Sequence, residues 1–117
     1  MSKLGEFLRK TREQKRAEDP GFSLRKLAER IGIQPSYLSK LERGDESSPS
    51  ETVVRKLAKE LDADTDVMLA MAGKISEDLA NIILKRPKLF SDLIRDLKKL
   101  PNHSILKLVR EVRDGDW

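Results

Sequence analysis

The sequence contains no cysteine and a single histidine, His103, among its 117 residues. Disulfide bonds, cysteine-ligated zinc and thiol catalysis are therefore excluded. No run of about 18 apolar residues is present that could span a membrane. The first ten residues, MSKLGEFLRK, lack the apolar segment of a signal peptide. We therefore expect a cytoplasmic protein with no membrane partner.

Aromatic residues are also scarce, with one Trp, one Tyr and three Phe. Core packing must then depend on Leu, Ile, Val, Met and Ala, a mixture that suits helices better than strands. The sequence also lacks a glycine-rich phosphate loop and a clustered pair of acidic residues after a strand. It therefore favours a binding protein over an enzyme, and it predicts neither a cofactor nor a metal site.

Charged residues are plentiful, at 38% of the chain, but they are unevenly distributed around a net charge of +4. Residues 3–43 carry 11 Lys and Arg against 6 Asp and Glu, whereas residues 45–66 carry 3 against 7. Residues 74–117 carry 10 against 7. The first block is compatible with a polyanionic partner, although a solvated helical surface gives similar numbers.

Apolar residues recur at helical spacing along the chain, and no useful length alternates with period two. The pattern predicts an all-α protein with five helices before Gly73, the first running from residue 3 to about residue 17. The starts of the next four are predicted at Ser23, at Gln34 or Pro35, at Ser50, and at Asp64 or Thr65.

The stretch LAERIGIQPSYLSKLERG, residues 27–44, has the features of a helix-turn-helix. Ala28 provides a small residue where two helices must pack closely, and Gly32 suits a turn that needs a positive φ. Leu38 and Leu41 anchor the second helix to the core, which leaves its polar residues facing outward. An ordinary pair of packed helices shows similar spacing, so this stretch alone leaves both interpretations open.

The wider sequence resembles the DNA-binding domain of the XRE family, which includes the lambdoid phage repressors and Cro proteins. The resemblance covers roughly residues 3–72. It is carried by SLRKLAERIGIQPSYLSKLERG, by the polar loop with proline that follows, and by SETVVRKLAKELDA. It implies a five-helix lambda-repressor-like bundle, followed here by a helical C-terminal extension. The connection KRAEDPGFSL between the first two helices is longer than is usual in this family.

The resemblance implies that residues 35–43 form the recognition helix, whose first residues enter the major groove. Lys40 can donate to guanine and Ser36 can serve several bases, whereas Pro35 can only touch a thymine methyl. Tyr37 either reaches a base or packs its ring over the bundle. Further DNA contacts are expected from Ser23, Gln34, Arg43 and Ser48.

Arg12 and Glu42 match a pair of positions that often interact in this family. One is an arginine of the first helix, and the other is the acidic residue of the LERG element. The resemblance therefore implies a structural ion pair here rather than two base-reading residues.

Residues 74–117 match the family domain poorly. Helices are predicted there at about 76–85, 88–100 and 102–113, and they carry too many apolar residues to bury among themselves. These residues must pack on the bundle, on a second copy or on another protein. We therefore predict a DNA-binding domain at residues 1–73 and a dimerisation extension at residues 74–117.

Two classes of function remain open at this point. The first is a sequence-specific transcriptional regulator, more specifically a repressor, that binds a palindromic operator in double-stranded DNA as a homodimer. The second is an antitoxin-type autoregulator whose residues 74–117 bind a toxin protein. A toxin-sized partner that is encoded next door or co-purifies would separate the two.

Overall fold

A computed structural model describes residues 2–45 and 49–117. In these residues the chain forms eight α-helices, one short 3-10 helix and no strand, which confirms the all-α class. No helix in this part of the chain is long and apolar enough to cross a membrane. The helices are α1 Lys3–Arg16, α2 Leu24–Ile31, α3 Pro35–Arg43, α4 Glu51–Leu61, α5 Thr65–Met71, α6 Glu77–Lys85, α7 Pro87–Leu97 and α8 Asn102–Asp114, and the 3-10 helix is Pro20–Phe22.

The chain divides into two compact units, the first ending at Ser76 and the second beginning at Glu77. The first unit holds α1 to α5 and the second holds α6 to α8. This division falls shortly after Gly73, where the first domain was predicted to end. The assignment of one part to DNA binding and of the other to dimerisation stays a prediction.

The first unit is built around one cluster of buried apolar side chains to which all five helices contribute. Burying a leucine side chain fully stabilises a fold by about 1.5–3 kcal/mol, so this cluster fixes how the helices are arranged. Fully buried representatives of α1 to α5 are, in order, Leu8, Leu27, Leu38, Leu57 and Met68.

Short polar side chains determine where four of these helices begin. Ser2, Ser23, Ser50 and Asp64 precede α1, α2, α4 and α5, and each accepts a hydrogen bond from the backbone N–H three residues later. The four distances are 3.0, 3.3, 3.2 and 3.0 Å. Such caps satisfy N–H groups that have no partner inside the helix. Ser2 is a cap that the sequence analysis missed.

Three glycines are required by the backbone around α3. Gly32 ends α2 with a φ of 77°, and Gly44 ends α3 with a φ of 78°, a left-handed conformation that other residues adopt at a cost. Gly5 is needed for space instead. A Cβ atom at Gly5 would lie 2.6 Å from the carbonyl oxygens of both Leu41 and Glu42, so α1 packs directly on the backbone of α3.

The long connection between α1 and α2 is an ordered turn. Asp19 caps the 3-10 helix Pro20–Phe22 through its side chain. The Phe22 ring packs against the core, and the cationic groups of Lys15 and Arg30 lie 5.6 and 4.9 Å from its centre. The extra residues therefore add packing and cation–π contacts rather than a loose loop.

The three helices of the second unit bury none of their own side chains among themselves. An apolar groove of about 320 Å³ runs between α7 and α8. This exposure agrees with the expectation that three short helices cannot cover their own apolar residues. Arg113 lies at this α7–α8 groove, and its apolar lining residues are Leu93, Leu97, Ile105, Leu108, Val109 and Val112.

Candidate nucleic-acid interface

α2 and α3, joined by a tight turn, form a helix-turn-helix. Ala28 is fully buried in α2, and its carbonyl oxygen accepts a hydrogen bond of 3.0 Å from the N–H of Ile33. Ile31, just before the turn, is buried, and Ile33 packs against the core, so both sides of the turn are anchored. With the left-handed Gly32 between them, this turn sets the angle at which α3 leaves α2.

The residues of α3 divide into a buried and an exposed face. Each helical residue turns the chain by about 100°, so residues four and seven apart share a face. Leu38 and Leu41 are buried in the core. Ser36, Lys40 and Arg43 lie on the opposite side and are exposed. We call these three residues the recognition stripe.

Three more of the residues expected to contact DNA lie at the starts of α2 and α3. Ser23 is half-buried, and its hydroxyl group caps α2. Gln34 is exposed at the position before α3 and makes no capping bond with its side chain. Pro35 is the half-buried first residue of α3, where a missing N–H costs nothing.

Tyr37 takes one of the two positions considered for it. Its half-buried ring packs against the core of the first unit, beside the recognition stripe rather than as part of it. Ser48, for which a DNA contact was expected, lies outside the described residues. The base contacts expected of Pro35, Ser36, Tyr37 and Lys40 stay predictions.

Arg12 and Glu42 form a bidentate ion pair between α1 and α3. Nε of Arg12 donates to Oε2 of Glu42 at 2.7 Å, and Nη2 donates to Oε1 at 2.9 Å. The two residues are only 4% and 5% exposed. Hydrogen bonding to Glu42 raises the pKa of Arg12, outweighing the opposing effect of burial. The pair ties the last turn of α3 to α1.

Arg12 makes further hydrogen bonds beside this pair, and the neighbouring Arg43 has partners of its own. Arg12 also donates to the carbonyl oxygen of Phe22 at 3.3 Å and to the carboxylate of Glu13 at 3.1 Å. Arg43, at the end of the recognition stripe, pairs with Asp45 at 3.0 Å and donates to Ser39 Oγ. The charge of Arg43 is therefore partly balanced by the carboxylate of Asp45.

Two residues that position α3 were missed in the sequence analysis. Gly5 had a detectable signal, since glycine in the first turn of a helix lowers helix stability and needs a packing reason. Phe22 had only the unusual length of its connection. Within the described residues, no group of three or more Asp, Glu or His side chains is placed to hold a metal ion.

Comparisons with known proteins agree with this geometry. A family model described as a helix-turn-helix domain matches residues 3–71. The chain is 33% identical over 66 residues to the HTH-type transcriptional regulator SinR of Bacillus subtilis, which covers 56% of this chain and 55% of SinR. It is 39% identical over 69 residues to the uncharacterised HTH-type transcriptional regulator Rv0474 of Mycobacterium tuberculosis, which covers 59% of this chain and 45% of that protein. No solved structure matches significantly.

The fold and these matches define a helix-turn-helix protein. The chain belongs to the helix-turn-helix family and resembles its XRE-type transcriptional regulators, so the resemblance stated from the sequence is confirmed over the matched residues. It spans about half the length of the curated relatives it matches. The family match ends at residue 71, so it does not include α6 to α8.

Proposed function

We propose that the chain is a sequence-specific transcriptional repressor that binds a palindromic operator in double-stranded DNA as a homodimer. It acts in the cytoplasm as a binding protein, not as an enzyme. The observation that carries this proposal is the exposed recognition stripe, Ser36, Lys40 and Arg43, on a helix that the buried Arg12–Glu42 pair holds in place.

The stripe offers two kinds of contact to DNA. The Lys40 ammonium can donate to guanine O6 and N7 in the major groove, and the Ser36 hydroxyl can serve several bases. These contacts to base edges supply sequence preference. Arg43 lies in the last turn of α3, away from the end that enters the groove deepest. A phosphate contact there supplies affinity and register rather than sequence preference.

The second unit supports the dimer. One helix-turn-helix contacts too little DNA for strong preference, and two-fold dimers solve this by contacting two half-sites. Residues 77–117 bury no side chain of their own, and chains of about 40 residues usually need a partner for stability. If two copies associate through the α7–α8 groove, the apolar residues of each copy cover those of the other.

The antitoxin-type regulator is the second candidate, because a toxin protein could cover the same exposed surface. In that case the full chain alone remains monomeric, and a second protein is needed to bury residues 77–117. The oligomeric state of the pure chain therefore separates the two candidates.

Selection of bound sequences from a random DNA pool with the full chain tests the proposal. We expect a near-palindrome whose half-site centres lie about 10 base pairs, or a multiple of one helical turn, apart. Lys40→Ala should cost about 1–3 kcal/mol for each half-site of the selected operator and relax preference at one position in each half-site. Lys59→Ala, which removes an exposed lysine of α4, is the matched control.

Two outcomes contradict the proposal. The first is a pool in which no sequence is enriched. The second is a Lys40→Ala variant that binds selected and random DNA with equally reduced affinity, because Lys40 then contacts phosphate only. Placing the selected site inside a promoter and measuring its output with and without the protein distinguishes a repressor from an activator.

A further inference from the structure

A small cleft of about 260 Å³ lies beside the recognition stripe, where α1, the start of α2 and α3 meet. It is smaller than the roughly 300–1,000 Å³ of sites that enclose drug-sized ligands, so it suits a small chemical group. Its lining includes Arg9, Arg12, Leu24, Ser39, Glu42 and Arg43.

The acidic groups of the cleft are already balanced by other residues. Glu42 is bound by Arg12 at 2.7 Å. Glu13, which also lines the cleft, lies 3.1 Å from Arg12 and 3.9 Å from Arg16. Arg9, in contrast, is exposed and forms no ion pair within residues 2–45 and 49–117. The cleft therefore holds one uncompensated positive charge.

Two further features of the cleft favour an anion. Arg43 is held by Asp45 at 3.0 Å, but both side chains are exposed, and exposed pairs of this kind contribute little stability. Arg43 can therefore exchange Asp45 for another anion at small cost. Leu24 is the first residue of α2, whose free N–H groups and dipole also attract negative charge.

We propose that Arg9 and Arg43 bind one backbone phosphate of the DNA whose bases face the recognition stripe. This rests on the proposed function. Guanidinium groups match the geometry of phosphate oxygens and form paired hydrogen bonds with them. A DNA phosphate is favoured over a free anion because Arg43 belongs to the recognition stripe, which makes the cleft continuous with the surface that faces DNA. Asp45 then competes with the phosphate for Arg43.

The salt dependence of DNA binding tests the role of Arg9. Arg9→Ala removes one phosphate contact from each subunit of the dimer. The slope of log affinity against log salt should therefore become shallower by about 1.8, which is about sixtyfold weaker binding at 0.1 M salt. The loss should be equal on the selected site and on random DNA. Lys10→Ala removes the neighbouring exposed charge, which does not line the cleft, and should keep the slope. An unchanged slope in Arg9→Ala, or an equal change in Lys10→Ala, overturns the proposal.

Removing the competitor tests the role of Arg43. Asp45→Asn should tighten binding to both DNAs by freeing Arg43. Asp66→Asn removes the same charge from α5 and controls for the change in net charge, since Asp66 is exposed and lies outside the cleft. If the two variants increase the affinity for DNA equally, Arg43 does not bind the phosphate in the cleft, and that part of the proposal is overturned.

Melting curves in phosphate and in chloride, at equal ionic strength, separate a DNA phosphate from a free anion. Phosphate stabilises folded proteins generally, so we expect the same rise in melting temperature for the wild type and for Arg9→Ala. If phosphate raises the melting temperature of the wild type clearly more than that of Arg9→Ala, the cleft is a free-anion site and the proposal is overturned.

The fate of the proposed function can be read separately. A chain that selects one sequence, but whose slope is unchanged in Arg9→Ala, keeps the operator proposal and loses the phosphate cleft. If the chain selects no sequence, but the salt slope of its binding to random DNA falls in Arg9→Ala, the phosphate cleft is kept and the operator proposal is lost.

Discussion

The guanidinium of Arg12 and the carboxylate of Glu42, 30 residues apart in sequence, are joined by two hydrogen bonds of 2.7 and 2.9 Å. Both side chains are almost completely buried. The carbonyl oxygen of Phe22, at 3.3 Å, adds a third point of attachment. The guanidinium of Arg12 therefore joins α1 to the last turn of α3 and to the connection between α1 and α2. The orientation of α3 thus depends on a residue that need not touch DNA.

Removing Glu42 should destabilise the protein strongly. Glu42→Ala leaves the buried Arg12 charge without its main partner, and such changes cost about 3–5 kcal/mol. Because the pKa of Arg12 is raised, its stabilising contribution is present at neutral pH, where Glu42 is ionised, and is lost as the pH rises only under very alkaline conditions. Urea unfolding at pH 7 measures the change.

Two further variants check that interpretation. Glu29→Ala removes one side of an exposed pair with Arg25 at 3.7 Å and should cost well under about 1 kcal/mol. Replacing Arg12 and Glu42 together by Met and Leu should recover much of the loss, because no buried charge remains. A Glu42→Ala protein as stable as Glu29→Ala would contradict the inferred role of the pair.

Gly5→Ala should be destabilising, against the usual trend. In a helix this change normally stabilises by about 0.5–1 kcal/mol. Here the new Cβ atom would lie 2.6 Å from the carbonyl oxygens of Leu41 and Glu42, so α1 and α3 must separate, at a cost of about 1–3 kcal/mol. Thermal unfolding of Gly5→Ala and of the neighbouring exposed control Glu6→Ala gives the answer. A higher melting temperature for Gly5→Ala would show that the close approach is not needed.

Gly32→Ala should cost stability for a different reason. A Cβ atom at Gly32 meets nothing within 4 Å, so only the backbone φ of 77° opposes it, by about 1–2 kcal/mol. Asparagine tolerates this conformation better than alanine, so Gly32→Asn should be the milder change. Gly5→Asn, where space is the problem, should be worse than Gly5→Ala. Equal effects of Ala and Asn at residue 32 would rule out a conformational cause.

The apolar groove of the second unit should hold two copies together. Leu93→Asp and Val112→Asp replace side chains that are exposed in the single chain, so they should leave the first unit folded. We expect these variants to be monomeric in sedimentation and to bind the selected DNA far more weakly. Lys107→Asp, on the same helix but outside the groove, should remain dimeric.

Truncation provides an independent test of the same interface. A fragment that ends at Ser76 keeps the whole buried cluster, so it should fold, remain monomeric and bind the operator weakly. A wild-type chain that is monomeric at assay concentrations and binds one asymmetric site tightly would contradict the dimer. The antitoxin-type alternative would then be favoured.

Much of the fold of the first unit was predictable because its signals are local. The caps Ser23, Ser50 and Asp64 act on N–H groups three residues away, and the left-handed Gly32 follows directly from the end of α2. The alternation of buried and exposed residues on α3 follows from the helical repeat alone. For Arg12, the sequence needed a family resemblance to indicate a partner 30 residues away.

By itself, the sequence determined the helical class, the helix starts and the exposed Ser36 and Lys40, since each depends on neighbours within one or two turns. Only the tertiary structure decided that Tyr37 packs on the core, that Gly5 is needed for space, and that Arg9 shares a cleft with Arg43. The physical reason is that these three features arise where α1 meets α3 or where a side chain meets the core. Helical periodicity places a residue on a face but does not specify which distant helix that face will meet.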